Sequence, residues 1–114
     1  MRNYDEIATF ERDGFLVFVD KTDEDLNPRD QFEEADVPEI LRKIENYTYD
    51  WFMLRVRVML DGHELGSHYL GGCLYEDAKQ VLVDGTVEDC LIEAMHEAKQ
   101  EVKRLKERLN AIAV

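Results

Sequence analysis

Trp51-Phe52-Met53-Leu54-Arg55-Val56-Arg57-Val58-Met59-Leu60, followed at once by Asp61-Gly62, is the stretch on which the fold turns. Phe52, Leu54, Val56, Val58 and Leu60 alternate with Met53, Arg55, Arg57 and Met59. Successive side chains of a strand point to opposite faces. The alternation therefore predicts a β-strand with its even positions in a core and with Arg55 and Arg57 toward solvent. Asp-Gly supplies both positive-φ residues of a type I′ turn, which predicts a hairpin into the segment starting at His63. Working outward, Asp13-Gly14 carries the same signal between Thr9-Phe10-Glu11-Arg12 and Phe15-Leu16-Val17-Phe18-Val19. Two readings stay open there. Tyr4 to Phe10 forms the first strand of a hairpin, or it forms a short helix or loose arm that leaves Phe15 to Lys21 as a lone strand.

Two helices are marked by their starts. Asp36-Val37-Pro38-Glu39 has the form of a capping box with proline in the first turn. Ile40, Leu41, Ile44 and Tyr47 follow on one face, which predicts a helix over residues 37–46. Thr86-Val87-Glu88-Asp89 has the same form and opens the longest element. Its apolar stripe is Leu91, Met95, Ala98, Val102, Leu105, Leu109 and Ile112. Glu88, Asp89 and Glu93 crowd its start and Lys103, Arg104, Lys106 and Arg108 its end, as the helix dipole prefers. The stripe reads either as a lid over one sheet face or as the seam of a homodimer through the C-terminal helix, with Leu105 to Ile112 projecting to pair. The lid is the preferred reading, because the apolar face of a lone sheet must be buried against something. Glu76 to Val83 predicts a short helix stopped by Asp84-Gly85. The predicted fold class is α+β. Residues 1–114 form a single domain, an antiparallel sheet of three or four strands covered on one face by the long C-terminal helix. A second helix follows the first strand or hairpin and packs beside the sheet.

Composition narrows the function. At 114 residues and 45% hydrophobic, the chain is long enough for one core. No apolar run approaches the roughly 18 residues of a membrane span. Met1 to Glu6 lack the apolar stretch of a secretory leader, and Cys73 and Cys90 read as reduced thiols, so a cytoplasmic location is expected. The net charge of -12 is uneven: residues 1–50 hold 15 acids against 6 bases. From Asp20 to Glu39 there are nine acids and two bases. Such a surface repels nucleic acid and anionic membrane and favours basic partners.

Residue sets that carry chemistry are sparse. Asp23, Asp25, Asn27 and Glu34 fall at positions 1, 3, 5 and 12 of an EF-hand loop, but Pro28 stands where that loop needs glycine for its sharp turn. His63, His68, Cys73, Cys90 and His96 have no metal-ligand spacing, and the two strand histidines, five apart, are expected on opposite faces. Ser67 lacks the context of an activated nucleophile. Gly71-Gly72 marks a bulge or a close backbone approach. No catalytic set, no metal and no cofactor is expected. Tyr47, Tyr49, Trp51 and Phe52 read as a binding surface or, by preference, as a cluster in which Trp51 and Phe52 cap the core.

Asp25-Leu26-Asn27-Pro28-Arg29-Asp30 and Glu64-Leu65-Gly66-Ser67-His68-Tyr69-Leu70-Gly71-Gly72-Cys73-Leu74-Tyr75 resemble a family of small acidic uncharacterised proteins carried by bacteriophages and other mobile elements. The likeness runs from about residue 15 to residue 104, and its L-G-x-x-Y-L-G-G-C-x-Y stretch carries it. The resemblance implies a context rather than a mechanism, and a role in folding or function for Tyr69, Gly71, Gly72 and Tyr75.

The expected function is a binding or inhibitor protein, like an anti-CRISPR or antirestriction protein that imitates the charge of DNA. Asp20, Asp23, Glu24, Asp25, Asp30, Glu33, Glu34 and Asp36 would dock on a basic, nucleic-acid-binding surface of a host protein. Direct nucleic-acid or membrane binding is not expected. One alternative is a small-ligand protein or enzyme with a pocket near Tyr69, Cys73, Tyr75 and His96; another is the structural homodimer.

Overall fold

A computed structural model of the protein describes residues 3–112. Both Asp-Gly pairs make the turns their chemistry favours. Asp13 and Gly14 have φ of 53° and 85°, Asp61 and Gly62 of 50° and 82°. The first turn joins β1 (Asp5–Arg12) to β2 (Phe15–Asp23), and the second joins β3 (Asp50–Leu60) to β4 (His63–Tyr75). Tyr4 to Phe10 is thus mostly strand, and the hairpin reading holds. The four strands form one antiparallel sheet in the order β1-β2-β3-β4. β2 and β3 pair from Leu16 with Met59 to Asp23 with Phe52, across an excursion that holds a 3-10 turn (Pro28–Asp30) and helix α1 (Val37–Glu45). A 3-10 helix (Ala78–Leu82) leads from β4 to α2 (Thr86–Asn110).

The core lies between one face of the sheet and α2. Val17 and Val19 of β2 and Phe52, Leu54, Val56 and Val58 of β3 meet Val87, Leu91, Ala94, Met95 and Ala98 of α2, all buried. Each fully buried aliphatic or aromatic side chain contributes roughly 1.5–3 kcal/mol by leaving water. α2 comes closest at Gly66, where the helix backbone lies directly on β4. The apolar stripe is therefore a lid as far as Ala98. Beyond it Val102 is half-buried, while Leu105, Leu109 and Ile112 are 37%, 64% and 57% exposed.

Two expectations about helix starts are corrected in detail. Asp36 makes no side-chain cap to α1, and the N-cap of α2 is Gly85 at φ 94°, one residue before the predicted Thr86. The side chain of Asp84 accepts instead from the Thr86 N–H. α1 packs chiefly on the 3-10 turn of its own excursion, and only Val37 of it is buried. Its apolar face is thus shared with a loop and not laid beside the sheet as expected.

Two register shifts bend β4. One, between Phe52 and Leu54, accommodates Gly71-Gly72, with Gly72 at φ 69°. The other adds a residue opposite the step from Val58 to Met59. A bulge reverses the facing of everything beyond it. His63 pairs with Leu60 and His68 with Val56, so both share the core face, not opposite faces as the simple alternation requires.

The body is 63 Å long by 27 and 24 Å, with a radius of gyration of 17.5 Å against about 13 Å for a compact chain of this size. The excursion between β2 and β3 extends one end. At the other, past the Asp61-Gly62 turn, the last turns of α2 run beyond the sheet.

Candidate functional site

The eight acids singled out in the sequence do not form one surface. Asp20 is 5% exposed, on the sheet face away from α2. Its Oδ2 accepts from Arg55 Nε at 3.0 Å and Nη2 at 2.5 Å, and from Arg57 Nη2 at 3.1 Å. The Arg55 guanidinium lies 3.4 Å from the centre of the Tyr4 ring and that of Arg57 5.2 Å from Phe18. Asp20 is therefore an internal counterion, not a docking residue, and Arg55 and Arg57 are half-buried rather than solvent-facing. Glu24 is also structural. Its carboxylate accepts from the N–H of Leu26 at 3.0 Å and of Gly72 at 2.7 Å, fastening the excursion to the β4 bulge. Asp23 and Asp25 are engaged by other groups of the chain.

Asp30, Glu33, Glu34 and Asp36 are different. All four are exposed, and among the described residues none has an ion-pair partner. Arg29 is the only base between Glu24 and Asp36. The segment that carries them is held in place. The Asn27 side chain accepts from Arg29 N–H at 3.0 Å and starts the 3-10 turn, with Pro28 in its first turn. Trp51 Nε1–H donates to the Leu26 carbonyl at 3.0 Å, and its ring meets Phe32 at 5.6 Å between centroids. Trp51 thus anchors the acidic excursion, a role distinct from core closure, while Phe52 is in the core. Tyr47, at φ 63°, is exposed, and Tyr49 lies beneath Lys43. A groove of about 500 Å³ runs past Arg29, Phe32, Glu34, Val37 and Pro38.

Pocket residues expected near the strand end are dispersed. Tyr69 pairs with Arg55 on the outer face. Cys73 pairs with Phe52 and is buried. The Tyr75 hydroxyl donates to Asp84 at 2.6 Å and lies 2.9 Å from the Thr86 hydroxyl. Burial raises its pKa, while the same hydrogen bond holds the Asp84 carboxyl below its usual range. His96 is exposed on α2, beside Arg12 and Lys99. Among the described residues no group of three or more His, Cys, Asp or Glu side chains is placed to hold a metal ion, the Asp23–Glu34 segment included. No helix there is long and apolar enough to cross a membrane.

Cys73 and Cys90 are both buried and unbridged. Burial pushes the Cys73 thiol from 9.0 up to about 11 and moves Cys90 in the same direction. In the unfolded chain these thiols ionise first, so the stability they contribute is present below pH 9 and lost as pH rises toward about 11. The expected result at pH 8 is a folded protein whose two thiols resist an aromatic disulfide reagent, against prompt reaction of both in denaturant. Fast reaction of either native thiol would contradict this.

No protein-family model matches the chain, and neither the curated proteins nor the solved structures contain a match.

Proposed function

We propose that the protein is an acidic docking protein of inhibitor type, whose excursion between β2 and β3 engages a basic, nucleic-acid-binding surface on another protein. The observation that carries this reading is the division of the acids. Asp20 is neutralised inside the fold, whereas Asp30, Glu33, Glu34 and Asp36 stand exposed on a segment pinned by Trp51, Glu24 and Asn27. A pinned segment loses less freedom on binding, and complementary charge speeds encounter and selects the partner. The mobile-element resemblance of the 64–75 stretch agrees with an inhibitor of a host defence or nucleic-acid-handling protein. The dispersal of Tyr69, Cys73, Tyr75 and His96 weighs against the pocket alternative.

The test is capture from bacterial lysate at low and high salt, identification of what is retained, and titration of that purified protein. Reversal of Asp30, Glu33, Glu34 and Asp36 to lysine is expected to weaken binding about 10- to 100-fold at low salt and to flatten its salt dependence. Affinity unchanged by the four reversals sinks the proposal.

A further inference from the structure

The projecting end of α2 is the part of the molecule least explained by the fold. Residues 99–112 carry Lys99, Lys103, Arg104, Lys106 and Arg108 against Glu101 and Glu107, a cationic stretch on a chain of net charge -12. Leu105, Leu109 and Ile112 continue the heptad stripe there without a sheet beneath them. Leu105 and Leu109, with Leu60, Leu65 and Val102, border an apolar groove of about 270 Å³ beside the Asp61-Gly62 turn. Leu60 is itself 41% exposed. On one rim of this groove stands Lys106. On the other, at the hairpin tip, stands Asp61. Among the described residues neither has an ion-pair partner.

From this juxtaposition we infer that the groove is filled by a second copy of the chain, the two projecting helix ends crossing antiparallel about a two-fold axis near Leu105. A two-fold interface uses the same patch on both subunits, so the patch must be complementary to itself. This one is, in both respects that matter. Leu109 and Ile112 of each copy are apolar knobs, and the Leu60–Leu65–Val102 groove of the other is the matching recess. The antiparallel crossing carries the cationic helix end of each copy to the partner's hairpin tip, where Lys106 meets Asp61. Other occupants match only half of this. An anionic membrane or nucleic acid meets the carboxylates at the tip and the acidic body behind it. A basic partner is repelled by the helix end. The acidic excursion lies at the opposite end of the 63 Å body, so the pairing leaves it open for the proposed function.

Light scattering on the full chain tests this across a concentration series reaching about 100 µM, well above the dissociation constants of weak but specific interfaces. Wild-type protein is expected to move from monomer to dimer. Leu109→Glu, at an exposed position, is expected to leave the thermal midpoint unchanged and the protein monomeric. Lys106→Glu is expected to weaken the dimer at least about tenfold, and Asp61→Lys in the same chain to restore it, as exchange of a charged pair requires. A wild-type monomer throughout the series overturns the inference. So does a dimer indifferent to Leu109→Glu, or an open ladder of larger species, the mark of head-to-tail joining of the basic and acidic ends.

Discussion

Gly66→Ala is expected to destabilise the protein by about 3 kcal/mol or more, a loss of roughly 12 °C in thermal midpoint for a domain of this size. A Cβ built there lies 2.1 Å from the Ala94 carbonyl oxygen and 2.8 Å from the Ala98 nitrogen. Both are main-chain atoms of α2, so no flexible side chain can swing aside. The helix must lift from β4 or the strand must bend. Either movement loosens Val58, Leu91, Ala94 and Ala98, which are buried around the contact. Gly66 is not in the left-handed region of backbone space, so the cost is steric and not torsional. Trimming α2, as in Ala94→Gly, is therefore not expected to rescue the variant, because the offending carbonyl remains. Thermal unfolding followed by circular dichroism measures it, and a midpoint within about 2 °C of wild type would remove the argument.

Asp20→Ala is expected to cost about 3 kcal/mol at neutral pH and low salt. The substitution removes the carboxylate that accepts three N–H groups from Arg55 and Arg57 and leaves two half-buried guanidinium groups side by side. The Arg57 Nε is already buried without a partner, so the cluster has no spare acceptor to fall back on. The sign of the remedy separates charge from packing. Adding Arg57→Met to Asp20→Ala removes one of the two stranded charges and is expected to return part of the loss, and raising the salt to do the same by screening. Denaturant unfolding of the single and double variants measures this. A single variant within about 1 kcal/mol of wild type, or a double variant worse than the sum of its parts, would show that Asp20 is not holding the arginines.

The two cases mark where reading the chain as a string of residues stops. Asp20 follows Phe15-Leu16-Val17-Phe18-Val19 and sits in the most acidic stretch of the sequence, so composition assigns it to the surface. Its partners are 35 and 37 residues away, and β2 and β3 are joined by a long excursion, so no tight turn sets their register. A signal was nonetheless present. An acid inside an apolar strand and two arginines inside another are each costly alone and compatible together. Gly66 offered less, because a glycine in ordinary strand geometry announces nothing until a helix is laid on it. The histidines failed for a third reason: one extra residue in β4 turned His63 to the face of His68.

What sequence alone determined here is what depends on neighbours within a few residues. The Asp61-Gly62 turn, the alternation of β3, the lid formed by α2 and the bulge at Gly71-Gly72 follow from local backbone preference and from apolar periodicity, which act over one turn or one strand. Tertiary structure decided which acids are spent inside the molecule, which stay exposed between Asp30 and Asp36, and how far the heptad stripe outruns the sheet that needs it. Those outcomes depend on register and on where one element ends relative to another, quantities set only when distant segments meet.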